Sequence, residues 1–373
     1  MSFPKWQATG DLFREFQAIG RASLLYDVQD SHSGNMAMLR TNERGEDEIV
    51  ITATGSQKGD LEPSQICFLS ATETDYGYYK ASSETDIHAR ILKIPGVRAS
   101  MHAHLKDLIL ATLDDAPKPE KPPDFVPVDP LAWGHLGGAL PVDWFAVPSG
   151  SPELAKVIPE RLAGHPLTVI FGHGAMAKGR NLREAFFRLC VGNYAGAVVR
   201  SLERLRVDVA AVRREIAADP GRAFFRPAAP YEVEGDDRSD FREEEEILKE
   251  FIKAGHRIFE SRLSPFHTGS MSVRGVDMML YAPKASMPRD IGGPLLKVPL
   301  AAAPADGAEI ALHKAIYAAS DFQSVMHCHI PEAEASARFV YPGESAAADR
   351  IVPIDAEGSF LYLVIPILPP GAS

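Results

Sequence analysis

Apolar side chains recur every three or four residues at the start of the chain and then appear in shorter runs. The first pattern, over residues 11–27, predicts a helix. Runs at 35–39 and 48–52 predict strands, and the turn-rich segment ATGSQKGD follows them. The same criteria predict a helix at 85–94 and a strand at 98–104. The first hundred residues therefore alternate between helical and strand patterns.

Proline and glycine mark the irregular segments further along the chain. Residues 114–130 hold six prolines among charged residues. Because proline lacks an amide hydrogen and fixes φ, this segment is predicted to be a surface loop. A buried strand is predicted at 167–171, and Asn181 is predicted to cap a long helix that runs to about residue 217. Residues 219–240 are rich in proline, glycine and charge and are interpreted as a linker, after which a second helix opens with a run of glutamates.

The second half of the chain repeats the first. The segment TGSMSVR at 268–274 echoes SGNMAMLR at 33–40, and 277–291 aligns with 47–61 at an offset of 230 residues. Four further residues match at an offset of 225: Glu84, His88, His102 and His104 correspond to Glu309, His313, His327 and His329. We therefore predict a complete domain at 1–218, a linker at 219–240 and a truncated second copy at 241–373.

Composition and charge narrow the class of protein. The 373 residues are enough for two compact cores. The 39 basic and 50 acidic side chains give a net charge of -11, which disfavours nucleic acid as a partner but leaves a small anionic ligand open. The three cysteines lie far apart, and we see neither a signal peptide nor an apolar run of bilayer length, so we expect a cytoplasmic protein with no membrane partner.

Two histidines in RASMHAHL are the first candidates for chemistry. His102 and His104 are two residues apart on a predicted strand, so strand alternation places both on one face. Two neighbouring imidazoles suit a divalent metal, although an isolated pair of this kind is more often two half-buried structural histidines. The repetition of the pattern at His327 and His329 favours the metal interpretation.

A third histidine and a glutamate extend this candidate site. His173 follows a predicted buried strand and lies between two glycines, which allow the backbone to turn sharply and approach a site closely. The strand–GHGAMA segment also resembles a dinucleotide-binding fingerprint, but the helix starts too late for that motif. Glu84 precedes a predicted helix and is interpreted as either a fourth metal ligand or a general base. Considered by itself, it would be interpreted as a surface capping residue. We interpret His88, four residues on, as structural.

Glycine turns and hydroxyl side chains suggest an anion site near the metal. Backbone amides at such turns, together with hydroxyl donors, can bind a phosphate, although each turn alone is ordinary turn chemistry. The candidates are Asn35, Thr54, Gly55, Ser82 and Ser83.

Taken in order, SGNMAMLR, ITATGSQKGDL, KASSETDIH, HAHL and FGHGAMAKGRNLREAF resemble the class II aldolase/adducin family, which includes L-fuculose-phosphate aldolase. The resemblance implies a three-layer α/β/α fold with a largely antiparallel central sheet, here duplicated. It implies zinc, or another divalent ion such as Mn²⁺, Co²⁺ or Fe²⁺, on His102, His104 and His173, with Glu84 as acid/base. The family's phosphate-binding positions correspond to Asn35, Thr54, Gly55, Ser82 and Ser83.

The activity implied by this resemblance is aldolase-type cleavage of a small sugar phosphate through a zinc-stabilised enediolate. We also expect this chain to form a homo-oligomer. Family aldolases use a tyrosine from an adjacent subunit as an acid, and the sequence does not identify that residue here. The second copy keeps Glu309, His327 and His329, lacks a third histidine, and has different residues at the anion positions: Ser270, Lys284, Ala285, Gly307 and Ala308. We interpret it as a degenerate site.

Other functions remain open at this stage. Epimerases, dehydratases and decarboxylases of the same superfamily share the metal face, and a carboxylate could occupy the phosphate loop. A non-catalytic, adducin-like interaction module would be expected to lack the ligands that the first copy keeps. A metal hydrolase would need an aspartate on the metal side of HAHLKD, and strand parity is expected to direct Asp107 away from the metal.

Overall fold

The computed structural model describes residues 10–30, 32–42, 44–70, 79–114, 120–219, 245–265, 268–283, 295–301, 303, 306–338, 350–351, 355, 357 and 365–366. The chain divides into two compact units, Met1–Phe225 with Glu334–Ser373 and Arg226–Ala333. Most of the predicted linker at 219–240, together with Lys284 and Ala285, lies outside the described residues.

The first unit contains a seven-stranded sheet with helices on both faces. Its strands are β1 (Asn35–Thr41), β2 (Asp47–Thr52), β3 (Ile66–Ser70), β4 (Ala99–Ala103), β5 (Val142–Asp143), β6 (Leu167–Ile170) and β7 (Gly174–Gly179). Its helices are α1 (Gly10–Leu25), α2 (Thr85–Ile91), α3 (Lys106–Asp114), α4 (Pro130–Leu136), α5 (Pro152–Gly164), α6 (Leu182–Arg204) and α7 (Val209–Ala218), with short 3-10 turns at Lys58–Asp60 and Pro63–Gln65.

The strand order is β3-β2-β1-β4-β7-β6-β5. The sheet is mixed, which corrects the expectation of a largely antiparallel sheet: β6 pairs with β7 antiparallel but with β5 in parallel. The parallel pairing follows from the way that the chain connects β5 to β6. Helix α5 crosses over between β5 and β6, so the chain returns to the sheet in its original direction.

Helices cover the sheet through two apolar layers. Ile170 of β6 belongs to a buried cluster with residues of α2 and α5, including Ile87 and Ile158. Leu167, three residues earlier and therefore on the opposite face, lies against Gly192 of α6. The first unit is therefore an α/β fold with helices on both faces of a central sheet.

The predicted long helix after Asn181 is in fact two helices. Asn181 caps α6 as expected, because its side chain accepts a hydrogen bond from the Glu184 amide. The chain then leaves helical geometry at Arg206, whose φ of 58° is left-handed. Asp208 caps α7 by accepting a hydrogen bond from the Ala211 amide. The single-helix prediction was wrong because hydrophobic periodicity alone did not reveal this turn.

The second unit is smaller and is built on a four-stranded antiparallel sheet of order β10-β9-β8-β11. Its strands are β8 (Ser270–Arg274), β9 (Met278–Pro283), β10 (Leu296–Pro299) and β11 (Ser324–His327), and its helices include α8 (Glu245–Glu260) and α9 (Ala308–Ala319). The remaining described elements are α10 (Pro331–Ser336), β12 (Arg350–Ile351) and β13 (Ile365–Pro366). Phe251 and Ile258 of α8 pack with Met271 and Ala282 of the sheet.

Candidate metal and anion site

One pocket of the first unit collects all the site residues that the sequence predicted in the first copy. Its volume is about 190 Å³. The side chains and backbone that line it are His32, Gly34, Asn35, Ala53, Thr54, Gly55, Lys58, Ser82, Ser83, Glu84, His102, His104, Ser149 and His173. Residues that are distant in sequence thus meet in one cavity.

Two neighbouring chain segments bring the three histidines together. His102 lies on β4, and His104 follows the end of that strand. His173 lies in the turn between β6 and β7, where its amide donates to the Ile170 carbonyl. The three ring centroids are 4.8 to 5.1 Å apart, and one ligand nitrogen from each ring lies within 4.8 Å of the others. The predicted triad therefore exists as a spatial cluster.

Glycine is required beside this cluster for a steric reason. A Cβ atom on Gly174 would lie 2.6 Å from the Ala103 carbonyl oxygen and 2.8 Å from Cε1 of His102. Both distances are shorter than real Cβ contacts, so any side chain here would push β7 away from β4. The glycine after His173 thus allows the two ligand-bearing segments to approach each other.

The ring of His102 is held in a defined state. Its Nδ1 lies 3.0 Å from the Ala175 carbonyl, which can only accept, so Nδ1 carries the proton and Nε2 has the free lone pair. Burial, with a contribution from His173, lowers the pKa of His102 to about 3. Burial and the two neighbouring histidines lower the pKa of His104 to about 4. At neutral pH both rings are therefore uncharged, which is the form that binds a metal.

The pocket also passes a test of fit for a divalent cation. Three buried polar atoms have no hydrogen-bond partner among the described residues: Nε2 of His102, Nδ1 of His173 and Oε1 of Glu84. Burying such atoms unpaired costs free energy, on the order of 1–3 kcal/mol each. Three imidazoles with a nearby carboxylate are a typical donor set for a divalent transition metal. The histidine triad is also the one group of metal-ligating type found among the described residues.

Glu84 is buried in the pocket rather than exposed as a surface cap. It occupies the N-cap position of α2, but its side chain makes no capping hydrogen bond and the residue is only 3% exposed. Its Oε2 accepts a hydrogen bond from Nδ2 of Asn35 at 2.8 Å. The β1–β4 register explains this contact, because it places Asn35 opposite His102. One oxygen of Glu84 is thus fixed by Asn35, and the other faces the pocket without a partner.

The predicted anion loops line the same pocket as the histidines. A bridge between Ala53 and Ala81 holds two of the loops side by side. Gly55 has a φ of 70°, with open space where a side chain would be. Thr54 donates its hydroxyl proton to the Ala81 carbonyl, whereas the Ser82 hydroxyl accepts from the Glu84 amide and keeps its own proton for another partner. The arrangement brings hydroxyl and backbone donors to a common space.

Sequence reasoning missed a lysine in this pocket. Lys58 is only 2% exposed, and it is the one lysine or arginine among the described residues that line the pocket. Its Nζ donates to the carbonyls of Ser56 at 2.7 Å and His32 at 3.0 Å, and burial lowers its pKa to about 8. Its position three residues after Gly55 was the available signal, but a sequence does not show that a lysine is buried. His32 and Ser149 were also missed.

The geometry corrects one argument about Asp107. The parity argument assumed that the strand continues past His104, but β4 ends at Ala103 and Asp107 lies in the first turn of α3. The amide of Asp107 donates to Asn193 Oδ1 at 3.1 Å, and Asn193 in turn donates to its carboxylate. Asp107 therefore joins α3 to α6, and its direction is set by a helix and not by strand alternation.

The second unit brings its own candidate residues together differently. Nδ1 of His327 lies 2.9 Å from Oε1 of Glu309, and the rings of His327 and His329 are 4.8 Å apart between centroids. The hydrogen bond with Glu309 raises the pKa of His327. Although burial opposes it, the bond from His327 holds the pKa of Glu309 at about 2. The carboxylate is therefore engaged by a histidine of its own site, in contrast to Oε1 of Glu84.

Comparison with known proteins supports this picture at the level of the family. The pattern described as "Class II Aldolase and Adducin N-terminal domain" matches residues 14–198 and 249–372. The chain belongs to this family. The expected resemblance is thereby confirmed, and the aldolases among its relatives indicate an enzyme of the lyase class.

Three relatives illustrate the match. A 5-methylthioribulose-1-phosphate/5-deoxyribulose-1-phosphate aldolase of Rhodospirillum rubrum is 30% identical over 156 residues, which is 41% of this chain and 64% of that protein's length. L-fuculose-1-phosphate aldolase from Thermus thermophilus is 21% identical, covering 52% of this chain and 95% of that one, with a TM-score of 0.45. A sugar-phosphate aldolase from Thermotoga maritima is 23% identical, covering 52% and 94%, with a TM-score of 0.44.

One further observation concerns membranes. Within the part of the chain that the structure describes, no helix combines the length and the apolar character that crossing a bilayer requires.

Proposed function

We propose that this protein is a divalent-metal-dependent aldolase that cleaves a carbon–carbon bond in a small sugar phosphate. The observation that carries the proposal is the convergence of three imidazole donors, one unpartnered carboxylate oxygen and a set of anion-binding candidates on a single pocket. Each part alone is compatible with several kinds of site. Their combination supplies what cleavage next to a carbonyl needs, namely charge stabilisation, a proton carrier and a site that holds the substrate.

His102, His104 and His173 would hold the metal, for which we propose zinc. When bound, the metal would polarise the substrate carbonyl and stabilise the negative charge that develops as the bond breaks. The hydrogen bond from His102 Nδ1 to Ala175 fixes the ring so that Nε2 faces the other two histidines. The fold therefore orients the His102 ring before any ion arrives.

Glu84 would carry the proton at Oε1. Cleavage requires that a substrate hydroxyl lose its proton while the electron pair of the carbon–carbon bond passes to the half of the substrate that contains the carbonyl. Oε1 is the atom available for this transfer, because Oε2 is occupied by Asn35. Burial beside the histidines limits access of water, so the proton can be returned to the product carbon by the same group.

The anion wall would hold the phosphate of the substrate. Ser82 has a hydroxyl proton to donate, Gly55 leaves space for close approach to the backbone, and Lys58 supplies a positive charge. Asn35, Thr54 and Ser83 complete the proposed phosphate-binding set.

A retro-aldol assay tests this proposal. The purified protein, loaded with Zn²⁺, would be given 5-methylthioribulose 1-phosphate, 5-deoxyribulose 1-phosphate and L-fuculose 1-phosphate. Cleavage of each would release dihydroxyacetone phosphate, which is measured by its reduction with NADH and glycerol-3-phosphate dehydrogenase. Deuterium exchange of dihydroxyacetone phosphate, followed by NMR, detects the proton transfer even where the aldehyde half is unsuitable. If the protein shows no release of dihydroxyacetone phosphate and no deuterium exchange with any divalent metal, the proposal is contradicted.

Replacing Lys58 with methionine is expected to raise KM for a phosphorylated substrate by about 10- to 100-fold, as the loss of a charge-assisted hydrogen bond predicts. Inorganic phosphate should also inhibit this variant more weakly. In the unchanged protein, phosphate inhibition should weaken above pH 8, because Lys58 loses its charge as the pH rises through its lowered pKa of about 8. Lys178→Met is the matched control, since its Nζ also donates to backbone carbonyls but away from the pocket. Equal effects of the two variants would assign Lys58 a purely structural role.

We also propose that the chain is a tandem pair of related domains of which only the first is a working site. The family pattern matches a segment of each unit, and Gly34 and Gly269, both with positive φ, approach the carbonyls of His102 and His327 respectively. The second unit offers two histidines, with Glu309 engaged by one of them.

Replacing His327 with alanine is therefore expected to leave turnover and metal content within about twofold of the unchanged protein, because His327 takes no part in the proposed site of the first unit. Steady-state kinetics and elemental analysis measure both quantities. A loss of one metal ion per chain would show that the second unit binds metal.

Two alternative functions can be distinguished from an aldolase. Epimerases, dehydratases and decarboxylases of the same superfamily would use the same metal face, and product analysis by NMR separates them from an aldolase. An adducin-like interaction module is disfavoured by the unpartnered atoms of His102, His173 and Glu84, since a non-catalytic pocket gains nothing from leaving them unpaired.

A further inference from the structure

Glu84 is the last member of a buried chain of hydrogen bonds that continues well behind the pocket. Oε2 of Glu84 contacts Nδ2 of Asn35, and Oδ1 of Asn35 contacts Nε2 of His88. Nδ1 of His88 lies 2.6 Å from the hydroxyl of Ser100 on β4. His88 and Ser100 are fully buried, and neither lines the pocket. The chain therefore connects the pocket to the sheet through groups that a substrate cannot reach.

Each bond in this chain has only one direction that satisfies all its members. If the Asn35 amide were rotated by 180°, its oxygen would face the carboxylate of Glu84, and two acceptors would repel each other. With Nδ2 toward Glu84, Oδ1 faces His88 and can only accept. His88 must then carry its proton on Nε2, and its Nδ1 accepts the hydroxyl proton of Ser100.

Burial keeps His88 in the neutral form that this arrangement requires. Its ring is 0% exposed, and burial lowers its pKa to about 4. A neutral imidazole has a single N–H, so the position of that hydrogen decides what Asn35 can do. A proton on Nδ1 would leave Nε2 and Oδ1 as two facing acceptors and would break the link to Asn35.

The second unit contains an equivalent series of hydrogen bonds, built from different residues. The Ser272 hydroxyl contacts Nδ1 of His313 at 2.6 Å, Nε2 of His313 contacts Ser270 Oγ at 2.9 Å, and Ser270 donates to Glu309 at 2.7 Å. Serine can replace asparagine here because one hydroxyl both accepts from a histidine and donates to a carboxylate.

The hydroxyl that contacts Nδ1 of the histidine comes from a different strand in each unit. In the first unit Ser100 is paired with Ala37 across β4 and β1, and the serine provides the hydroxyl. At the corresponding pair of the second unit, Ser272 on β8 faces Val325 on β11, so the serine lies on the other strand. The hydroxyl thus reaches Nδ1 of the histidine from a different residue in each unit. Its presence in both indicates that the contact to the histidine is what matters, and not the serine at one position.

We propose that His88 is a positioning residue that fixes the orientation of the Asn35 amide, and through it the carboxylate of Glu84, so that Oε1 is the oxygen presented to the substrate. This role rests on the proposed function. It assigns a task to a histidine that does not line the pocket and reaches it only through Asn35. It also separates Asn35 from a purely phosphate-binding role, because one of its two amide hydrogens is committed to Glu84.

Two substitutions of His88 test the proposal. Glutamine can place its Nε2 donor near the position of the histidine Nε2, whereas phenylalanine fills similar space without a donor. We expect His88→Phe to lower kcat by about 10- to 100-fold with little change in KM and no change in metal content. His88→Gln should recover most of the lost kcat. An equal loss of kcat in both variants, or a loss that follows melting temperature or metal content, would show a structural role only and would overturn the proposal.

NMR provides a readout that does not depend on turnover. Histidine ring ¹⁵N spectra of the full-length protein, with His88→Gln used for assignment, should show the Nε2–H tautomer for His88. Ser100→Ala should weaken that preference, because Nδ1 loses its donor. If the unchanged protein catalyses neither cleavage nor deuterium exchange, the proposed function fails, and the tautomer then decides the positioning role alone. A predominant Nδ1–H form of His88 would overturn it.

Discussion

The His102→Ala protein is expected to lose its metal. Purified without chelator or affinity tag, the unchanged protein should contain about one divalent ion per chain, and the variant should retain almost none. The reason is that Nε2 of His102 is buried with a free lone pair for a metal. The hydrogen bond from Nδ1 to the Ala175 carbonyl already orients the ring. Loss of an orienting contact alone typically costs 10- to 100-fold in affinity, so we expect removal of the ligand itself to cost at least about 100-fold. Elemental analysis and competition with a chelating dye measure both quantities.

His165→Ala is the matched control for this measurement, because His165 lies at the end of α5 and outside the pocket. It should keep the full metal content. Two ions per chain in the unchanged protein would mean that the second unit also binds metal, and His327→Ala would then remove one. An unchanged protein that takes up no ion even after metal is added back would contradict the metal site and favour an interaction module.

Replacing Glu84 with glutamine is expected to lower kcat by roughly 10²–10⁴-fold, the range typical of a removed general acid or base. Glutamine keeps the shape of the side chain and an oxygen that can accept from Asn35, but it cannot take up a proton at neutral pH. Metal content should stay near that of the unchanged protein, and the affinity for inorganic phosphate should change little. Cleavage kinetics, deuterium exchange and elemental analysis together distinguish a proton carrier from a metal ligand.

Asp86→Asn is the control, since it removes a carboxylate from the same helix, but one that is exposed to solvent and pairs with Arg90. This variant should be fully active. A Glu84→Gln protein with normal kcat would exclude the catalytic role, and a variant that loses metal together with activity would assign Glu84 to the metal instead. The contrast with His88→Phe is also informative, because positioning should matter less than removal of the proton carrier itself.

Many of the candidate site residues could be predicted from the sequence, because they lie in short local motifs. The HxH pattern predicted two ligands on one face of a strand, and the glycines around His173 predicted a close backbone approach. The structure shows that approach at Gly174. The anion residues were proposed from turn chemistry, and they do line the same pocket as the histidines. Their catalytic and binding roles remain predictions for the experiments above.

Other features depended on long-range contacts that no local pattern contains. The parallel pairing of β5 with β6 follows from the crossover through α5, and periodicity did not identify either α5 or the two-residue strand β5. The burial of Lys58 and the partners of His88 likewise depend on segments far apart in sequence. Sequence patterns report which side chains can interact, but only the packed chain fixes which of them do.

The sequence by itself determined the family, because that resemblance depends on residue types at fixed short spacings. It also supplied the hypotheses of a metal site and of an internal repeat, which the experiments above test. The tertiary structure decided the direction of the hydrogen bonds behind Glu84 and the placement of a buried cation beside the anion wall. It also decided that Glu309 forms a hydrogen bond with His327, whereas Oε1 of Glu84 has no hydrogen-bond partner among the described residues. These outcomes depend on strand register and burial, since a shift of one residue between β1 and β4 would separate Asn35 from His102 and Glu84.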